Sequence, residues 1–181
     1  MSGTIATDRR GCAIWLTGLP CSGKSTIAQR LADLIRARNR RVEVLDGDVV
    51  RQRLSQELGF SPEHRHMNVM RIGYVAKLLV NQGVIVVAAV VSPYEATRRA
   101  VRDEIESYFE VHVDCPLEEC ERRDVKGMYA RARAGNLTEF TGVNSPYEVP
   151  SNPDIRVNTL EVSRDQAVEL IANHVGLRFP L

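Results

Sequence analysis

The sequence predicts a doubly wound α/β domain built on five parallel strands. Three observations carry that prediction. Short apolar runs alternate with longer stretches of helical period along the chain. Residues 84–91 (VIVVAAVV) form an apolar run rich in β-branched residues, as expected of a central strand buried on both faces. A glycine- and serine-rich turn joins the first apolar run to the first helical stretch.

Taken in order, residues 12–17 (CAIWLT) read as a buried strand, followed by the turn and a helix to about Arg38. Residues 41–45 (RVEVL) give a second strand, and 48–58 a short helix. From Pro62 to Gln82, Ile72, Val75, Ala76 and Leu79 recur on one helical face. The 84–91 strand comes next, then a helix over 94–107 and a strand over 109–114 (FEVHVD). Pro116 suits the first turn of a helix running to about Arg123. Residues 155–158 form a fifth strand, and 164–174 a last helix. Residues 125–153 give no strand signal and hold three glycines and three prolines, a composition that suits an active-site lid. The segment is basic and poor in apolar anchors, so it is expected to move when no ligand holds it. Residues 1–11 are polar and basic and read as a flexible terminus before one domain over 12–181.

With 181 residues, 44% hydrophobic and 26% charged, the chain has the composition of one globular domain. A net charge of +1 gives no general field for nucleic acid or membrane, so anions must be met by locally placed arginines and lysines. No apolar run is long enough to span a bilayer. Cys12, Cys21, Cys115 and Cys120 show no C-x-x-C spacing, and nothing resembles a signal peptide. Reduced thiols in a cytoplasm fit best.

The turn after the first strand is Gly18-Leu19-Pro20-Cys21-Ser22-Gly23-Lys24-Ser25, followed by Thr26, which matches G-x-x-x-x-G-K-[ST] between a strand and a helix. The glycines let successive backbone N–H groups point at phosphate oxygens, and the helix N-terminus adds its positive end. Lys24 would reach the β- and γ-phosphates, and the Ser25 hydroxyl is a hard oxygen ligand for Mg²⁺. This is the phosphate cradle of P-loop nucleotide-binding proteins. No N-K-x-D motif accompanies it, and residues 84–91 end in Ser92-Pro93-Tyr94 without an acid. The small size and basic late segment favour a kinase for a small acceptor over a switch or a motor. At the end of the second strand Asp46 and Asp48 flank Gly47. One can take a proton from an attacking hydroxyl while the other holds Mg²⁺ through water, or the pair is an ordinary turn with Asp48 as helix cap.

Together with later motifs, these residues resemble the adenylylsulfate kinase family. The matching segments are 18–26 (GLPCSGKST), 45–51 (LDGDVVR), 58–62 (LGFSP), 71–78 (RIGYVAKL), 116–124 (PLEECERRD), 126–129 (KGMY), 132–135 (ARAG) and 140–148 (FTGVNSPYE), with Arg65, Asn68 and Ser92-Pro93-Tyr94. The resemblance implies ATP-dependent phosphorylation of the 3′-hydroxyl of adenylyl sulfate, with Mg²⁺. It implies that Phe60 and Phe140 sandwich the acceptor's adenine, and that Arg51, Arg65 and Asn68 bind its phosphosulfate. Lys126 would bring positive charge over both ligands, and Cys120 and Arg122 would lie at the donor's base. Asp48 would stand nearest the 3′-hydroxyl, with Asp46 in the metal shell. Ser92 occupies the position described in the family as a phosphoserine intermediate, although a positioning role at the strand end suits it better. The family often forms dimers, so a homodimer is an expectation, and a sulfurylase is a candidate partner.

Three residues depart from the family pattern. Met70 stands where an arginine is usual, Tyr74 where a glutamate is common, and Glu95 where an arginine is frequent. One cation fewer and one carboxylate more near the acceptor would weaken anion affinity or shift the substrate. Two rival readings share the cradle: another small-molecule P-loop kinase, and a nucleotide-binding module of a sulfate-activating assembly.

Overall fold

A computed structural model of the chain describes residues 11–176, so all but Gly11 of the expected terminus over 1–11 lies outside it. The elements are β1 (Cys12–Thr17), α1 (Lys24–Ala37), β2 (Val42–Asp46), α2 (Gly47–Leu54), α3 (Pro62–Asn81), β3 (Ile85–Ala89), α4 (Glu95–Glu104), β4 (Tyr108–Asp114), α5 (Leu117–Arg123), α6 (Met128–Arg133), β5 (Ile155–Asn158) and α7 (Arg164–His174). All strand pairs are parallel, in the order β2-β3-β1-β4-β5.

Strand alternation divides the sheet's two faces. Ile14, Leu16 and Val87 pack under α1 and α7 with Ile27, Leu31 and Ile171. Ala13, Trp15, Val86 and Ala88 face α3 and α4 with Ile72, Ala76 and Val101. From β1 the chain crosses to β2 on one side, and from β3 it crosses to β4 on the other. The carboxyl ends of β1 and β3 therefore flank the switch point where open α/β sheets bind ligands.

Several elements end earlier than their composition suggests. The helix expected over 48–58 stops at Leu54, whose carbonyl is taken by Arg71 Nη1 at 2.7 Å. The 84–91 run is paired only over Ile85–Ala89, because Ala89 already faces the last residue of β2, Asp46. The largest correction concerns residues 125–153. They hold the helix α6 and contribute Tyr129, Ala132 and Phe140 to a third buried cluster with Cys115 and Cys120. The segment thus has the apolar anchors that its composition disguised. Among the described residues, no helix is long and apolar enough to cross a membrane.

Candidate active site

A cavity of about 900 Å³ opens at the carboxyl ends of the strands, with Pro20, Gly23, Lys24, Ser25 and Thr26 in its wall. The cradle is a loop that only its own residues permit. Gly18 adopts φ 152°, and a Cβ there would lie 2.4 Å from the Val113 carbonyl oxygen. Gly23, at φ 109°, reverses the chain into α1. Lys24 is 7% exposed, and its Nζ donates to the Gly18 and Leu19 carbonyls at 2.9 and 2.7 Å. Burial pulls its pKa down to about 8, against the pull of nearby acidic groups that include Asp48 and Asp46.

That shift carries a sign. Stability from Lys24 is greatest above its ordinary value of 10.5 and is lost as pH falls through about 8. The full difference is about 3 kcal/mol. A triphosphate beside Lys24 would restore the charge. Nucleotide binding at pH 8.5 is therefore expected to take up protons, read as a binding heat that changes with the buffer's ionisation enthalpy. Equal heats in all buffers would contradict it.

The two carboxylates after β2 have different surroundings. Asp46 caps α2, its Oδ1 accepting from the N–H groups of Asp48 and Val49 at 3.0 and 3.4 Å. The cap expected of Asp48 thus belongs to Asp46. Asp46 Oδ2 also accepts from the Ser25 hydroxyl at 2.6 Å, so two hard oxygen donors meet beside the cradle. Asp48 is exposed, and its Oδ2 lies 2.5 Å from Lys126 Nζ, which this bond holds above its ordinary pKa. A pair this exposed adds little stability, under about 1 kcal/mol. It does bring Lys126 across the cavity onto α2.

On the far wall, Phe60 is 48% exposed beneath two guanidinium groups, Arg51 at 4.2 Å and Arg65 at 5.4 Å from its ring centre. Both arginines also hold backbone: Arg51 the Leu58 and Gly59 carbonyls, Arg65 those of Phe60 and Glu139. Phe140 lines the cavity but is only 8% exposed, packed edge-on against Tyr129 at 4.9 Å. Arg51 and Asn68 do not reach the cavity wall, and Asn68 Oδ1 is a buried oxygen without a hydrogen-bond partner.

Cys120 and Arg122 meet a different geometry from the one expected, whereas Ser92 lies just past the end of β3, in keeping with a strand-end role. Ser92 is 1% exposed at φ 43°, and its hydroxyl accepts from Trp15 Nε1 at 3.0 Å inside the core. Cys120 is fully buried, which pushes its thiol up to about 12 and leaves it a packing residue. Arg122 points outward to Glu119 at 2.6 Å. The next residue on that helix, Arg123, lines the cavity instead and reaches the Ser22 carbonyl at 3.4 Å and the Thr159 hydroxyl at 3.3 Å. One step along a helix turns a side chain by about 100°, which short sequence motifs do not resolve.

Sequence reasoning also missed the supports of the site. Arg98, 1% exposed, donates to the Ser92 and Glu148 carbonyls at 2.7 and 2.8 Å and lies 2.8 Å from Glu110. Tyr147 hydrogen-bonds the Thr17 hydroxyl at 3.1 Å. Their signal in the sequence is faint: Arg98 sits in an otherwise solvent-like helix, and only its position at the helix face toward Val101 hints at burial.

A five-stranded parallel sheet, a G-x-x-x-x-G-K-S cradle at its switch point and a lysine aimed into that cradle define a P-loop nucleotide-binding fold of the small-kinase type. The sequence model described as "Adenylylsulphate kinase" matches residues 10–158, and the chain belongs to that family. The adenylyl-sulfate kinase of Synechococcus sp. (strain JA-3-3Ab) is 50% identical over 163 residues, 90% of this chain and 93% of that one. The Mycobacterium tuberculosis APS kinase solved with AMPPNP and APS superposes with a TM-score of 0.89 at 40% identity, over 92% of this chain and 98% of that one. A hexameric APS kinase from Thiobacillus denitrificans matches at 34% identity and a TM-score of 0.70, over 94% of this chain and 29% of its longer chain.

Proposed function

We propose that this chain transfers the γ-phosphoryl group of ATP to the 3′-hydroxyl of adenylyl sulfate. The observation that carries the reading is one cavity with two chemically different walls: Lys24 with the Ser25–Asp46 pair on one side, and Asp48, Lys126, Phe60 and Arg65 on the other. The relatives' shared name supplies the substrate.

The cradle grips the triphosphate, and Lys24 leaves the Gly18 and Leu19 carbonyls for phosphate oxygens. Ser25 and Asp46 fit Mg²⁺, since both offer hard oxygens and that ion needs only one or two protein ligands beside phosphate and water. Bound there, Mg²⁺ would neutralise charge developing on the transferred group. The Asp46 carboxylate is committed to its cap and to Ser25, whereas among the hydrogen bonds described the Asp48 carboxylate meets only the exposed Lys126. Asp48 is therefore the better base for the acceptor hydroxyl. Phe60 offers a flat face to the adenine, and Arg65 a planar guanidinium to the phosphosulfate. Lys126 adds positive charge where the two substrates meet. Arg123 and Thr159 stand at the donor's end of the cavity. Four free cysteines, three of them buried, suit a reducing cytoplasm, and the hexameric relative makes self-association part of the reading.

The test is ADP release in a coupled assay with adenylyl sulfate, AMP and gluconate as acceptors. Turnover with adenylyl sulfate alone is expected; turnover with either of the others instead would overturn the substrate. Phe60→Ala should raise the KM for adenylyl sulfate about five- to hundredfold and leave that for ATP nearly unchanged, because base–aromatic stacking is worth about 1–3 kcal/mol. Equal weakening of both substrates would remove Phe60 from the acceptor.

A further inference from the structure

The variable positions of the cradle face two ways. Lys24 and Cys21 line the cavity, while Leu19 and Cys21 also pack against the cluster of Tyr129 and Phe140. Tyr129 sits at the junction. Its hydroxyl donates to the Pro20 carbonyl of the cradle at 3.0 Å, and its ring meets Phe140 edge to face, centroids 4.9 Å apart at 88°. Asp124 fixes it from below: Oδ1 accepts the Tyr129 N–H at 3.1 Å and Oδ2 that of Ala130 at 3.0 Å. The backbone just beyond Phe140 touches the cradle as well, since a Cβ on Gly142 would lie 3.0 Å from Leu19 Cδ2. Tyr129 is 1% exposed, and burial keeps its phenol protonated, so it remains a donor.

The cradle has a reason to move at this point. Lys24 holds the carbonyls of Gly18 and Leu19, the two residues before Pro20. When Lys24 turns to a phosphate, both carbonyls lose that partner, and any resettling of the loop reaches the Pro20 carbonyl and with it Tyr129. We infer that Tyr129 is a positioning residue that links occupancy of the phosphate cradle to the set of Phe140, so that bound nucleotide tightens binding of the acceptor's purine. The inference rests on Phe140 belonging to the acceptor side, as in the function proposed above.

Calorimetry on the full chain tests it. The affinity for adenylyl sulfate is measured alone and with saturating ADP, and the affinity for ADP with and without adenylyl sulfate. Linkage requires the same factor in both directions. Wild type is expected to bind adenylyl sulfate more tightly when ADP is present. Tyr129→Phe keeps the ring and deletes one neutral hydrogen bond, so the factor should fall by about two- to tenfold. Each affinity measured alone should stay within about twofold, a split that a merely structural role would not produce. The inference is overturned if Tyr129→Phe keeps the wild-type factor, or if wild type, which needs no variant to fold, shows a factor of one. If adenylyl sulfate fails to bind wild type under any condition, the proposed function falls and takes the inference with it. An unchanged factor in the variant sinks the inference alone.

Discussion

Lys24→Met is expected to lower kcat at least a hundredfold without loss of fold. A preorganised charge that follows a transferring phosphoryl group is worth about 3–4 kcal/mol, or 10²–10³ in rate. The structure adds a second expectation with the opposite sign. Lys24 is buried in the protein alone, with a pKa drawn down to about 8, so below that pH its charge costs stability. Methionine keeps the buried stem and removes the charge. Its midpoint of thermal unfolding at pH 7 should therefore match or exceed that of wild type, as at other sites where activity is bought with stability. A variant that keeps more than about a tenth of kcat, roughly 1.4 kcal/mol, would remove Lys24 from the chemistry. A variant that unfolds well below wild type would refute the cost of its burial.

Arg98→Ala should be the most destabilising single change outside the apolar core. Arg98 lies 2.8 Å from Glu110 at 1% exposure, and it also ties the Ser92 and Glu148 carbonyls together. Removing one member of a buried ion pair strands the other and costs about 3–5 kcal/mol. Burial already raises the Glu110 pKa despite the neighbouring Arg98 and Arg102. With the cation gone, Glu110 should take up a proton, and the loss should be smaller at pH 5 than at pH 8. For a domain of this size the midpoint should fall by roughly 10 °C at neutral pH. The paired change Arg98→Met with Glu110→Leu should recover much of the loss, because neither charge is then left unpaired. A fall under about 2 °C for Arg98→Ala would show that the pair contributes nothing.

Arg98 also shows why the site's supports were hard to read. It lies on α4, whose sequence EATRRAVRDE looks like a solvated surface helix, and Arg99 beside it is exposed. Periodicity assigns a helix but not the partner that covers one of its faces. The same gap explains residues 125–153. Glycines, prolines and cations there interrupt the apolar residues, so no strand or long helical period shows, and the expectation is a segment that moves when no ligand holds it. Tyr129 and Ala132 share one face of the short helix α6, but that face meets Phe140, Leu19 and Cys21 only when the chain folds. Part of the segment thus packs against the outer side of the cradle.

Ser92 and Arg122 make the same point at single residues. A motif fixes which residue types stand near a site, but not whether a hydroxyl turns to Trp15 or a guanidinium to Glu119.

The sequence by itself determined the parallel sheet, the strand–helix order, the phosphate cradle and the pair of carboxylates after β2. These are local properties: β-branched runs, helical periods and a glycine pattern act within a few residues of one another, so their physics is complete before distant segments meet. Only the tertiary structure decided that Asp46 and not Asp48 caps α2 while holding Ser25, that Arg123 and not Arg122 enters the cavity, and that Tyr129 joins the cradle to Phe140. Those outcomes depend on contacts between residues up to 109 positions apart, as between Tyr129 and Pro20. Which rotamer meets which partner is set by how packed elements exclude water, and no short stretch of sequence contains both sides of that contact.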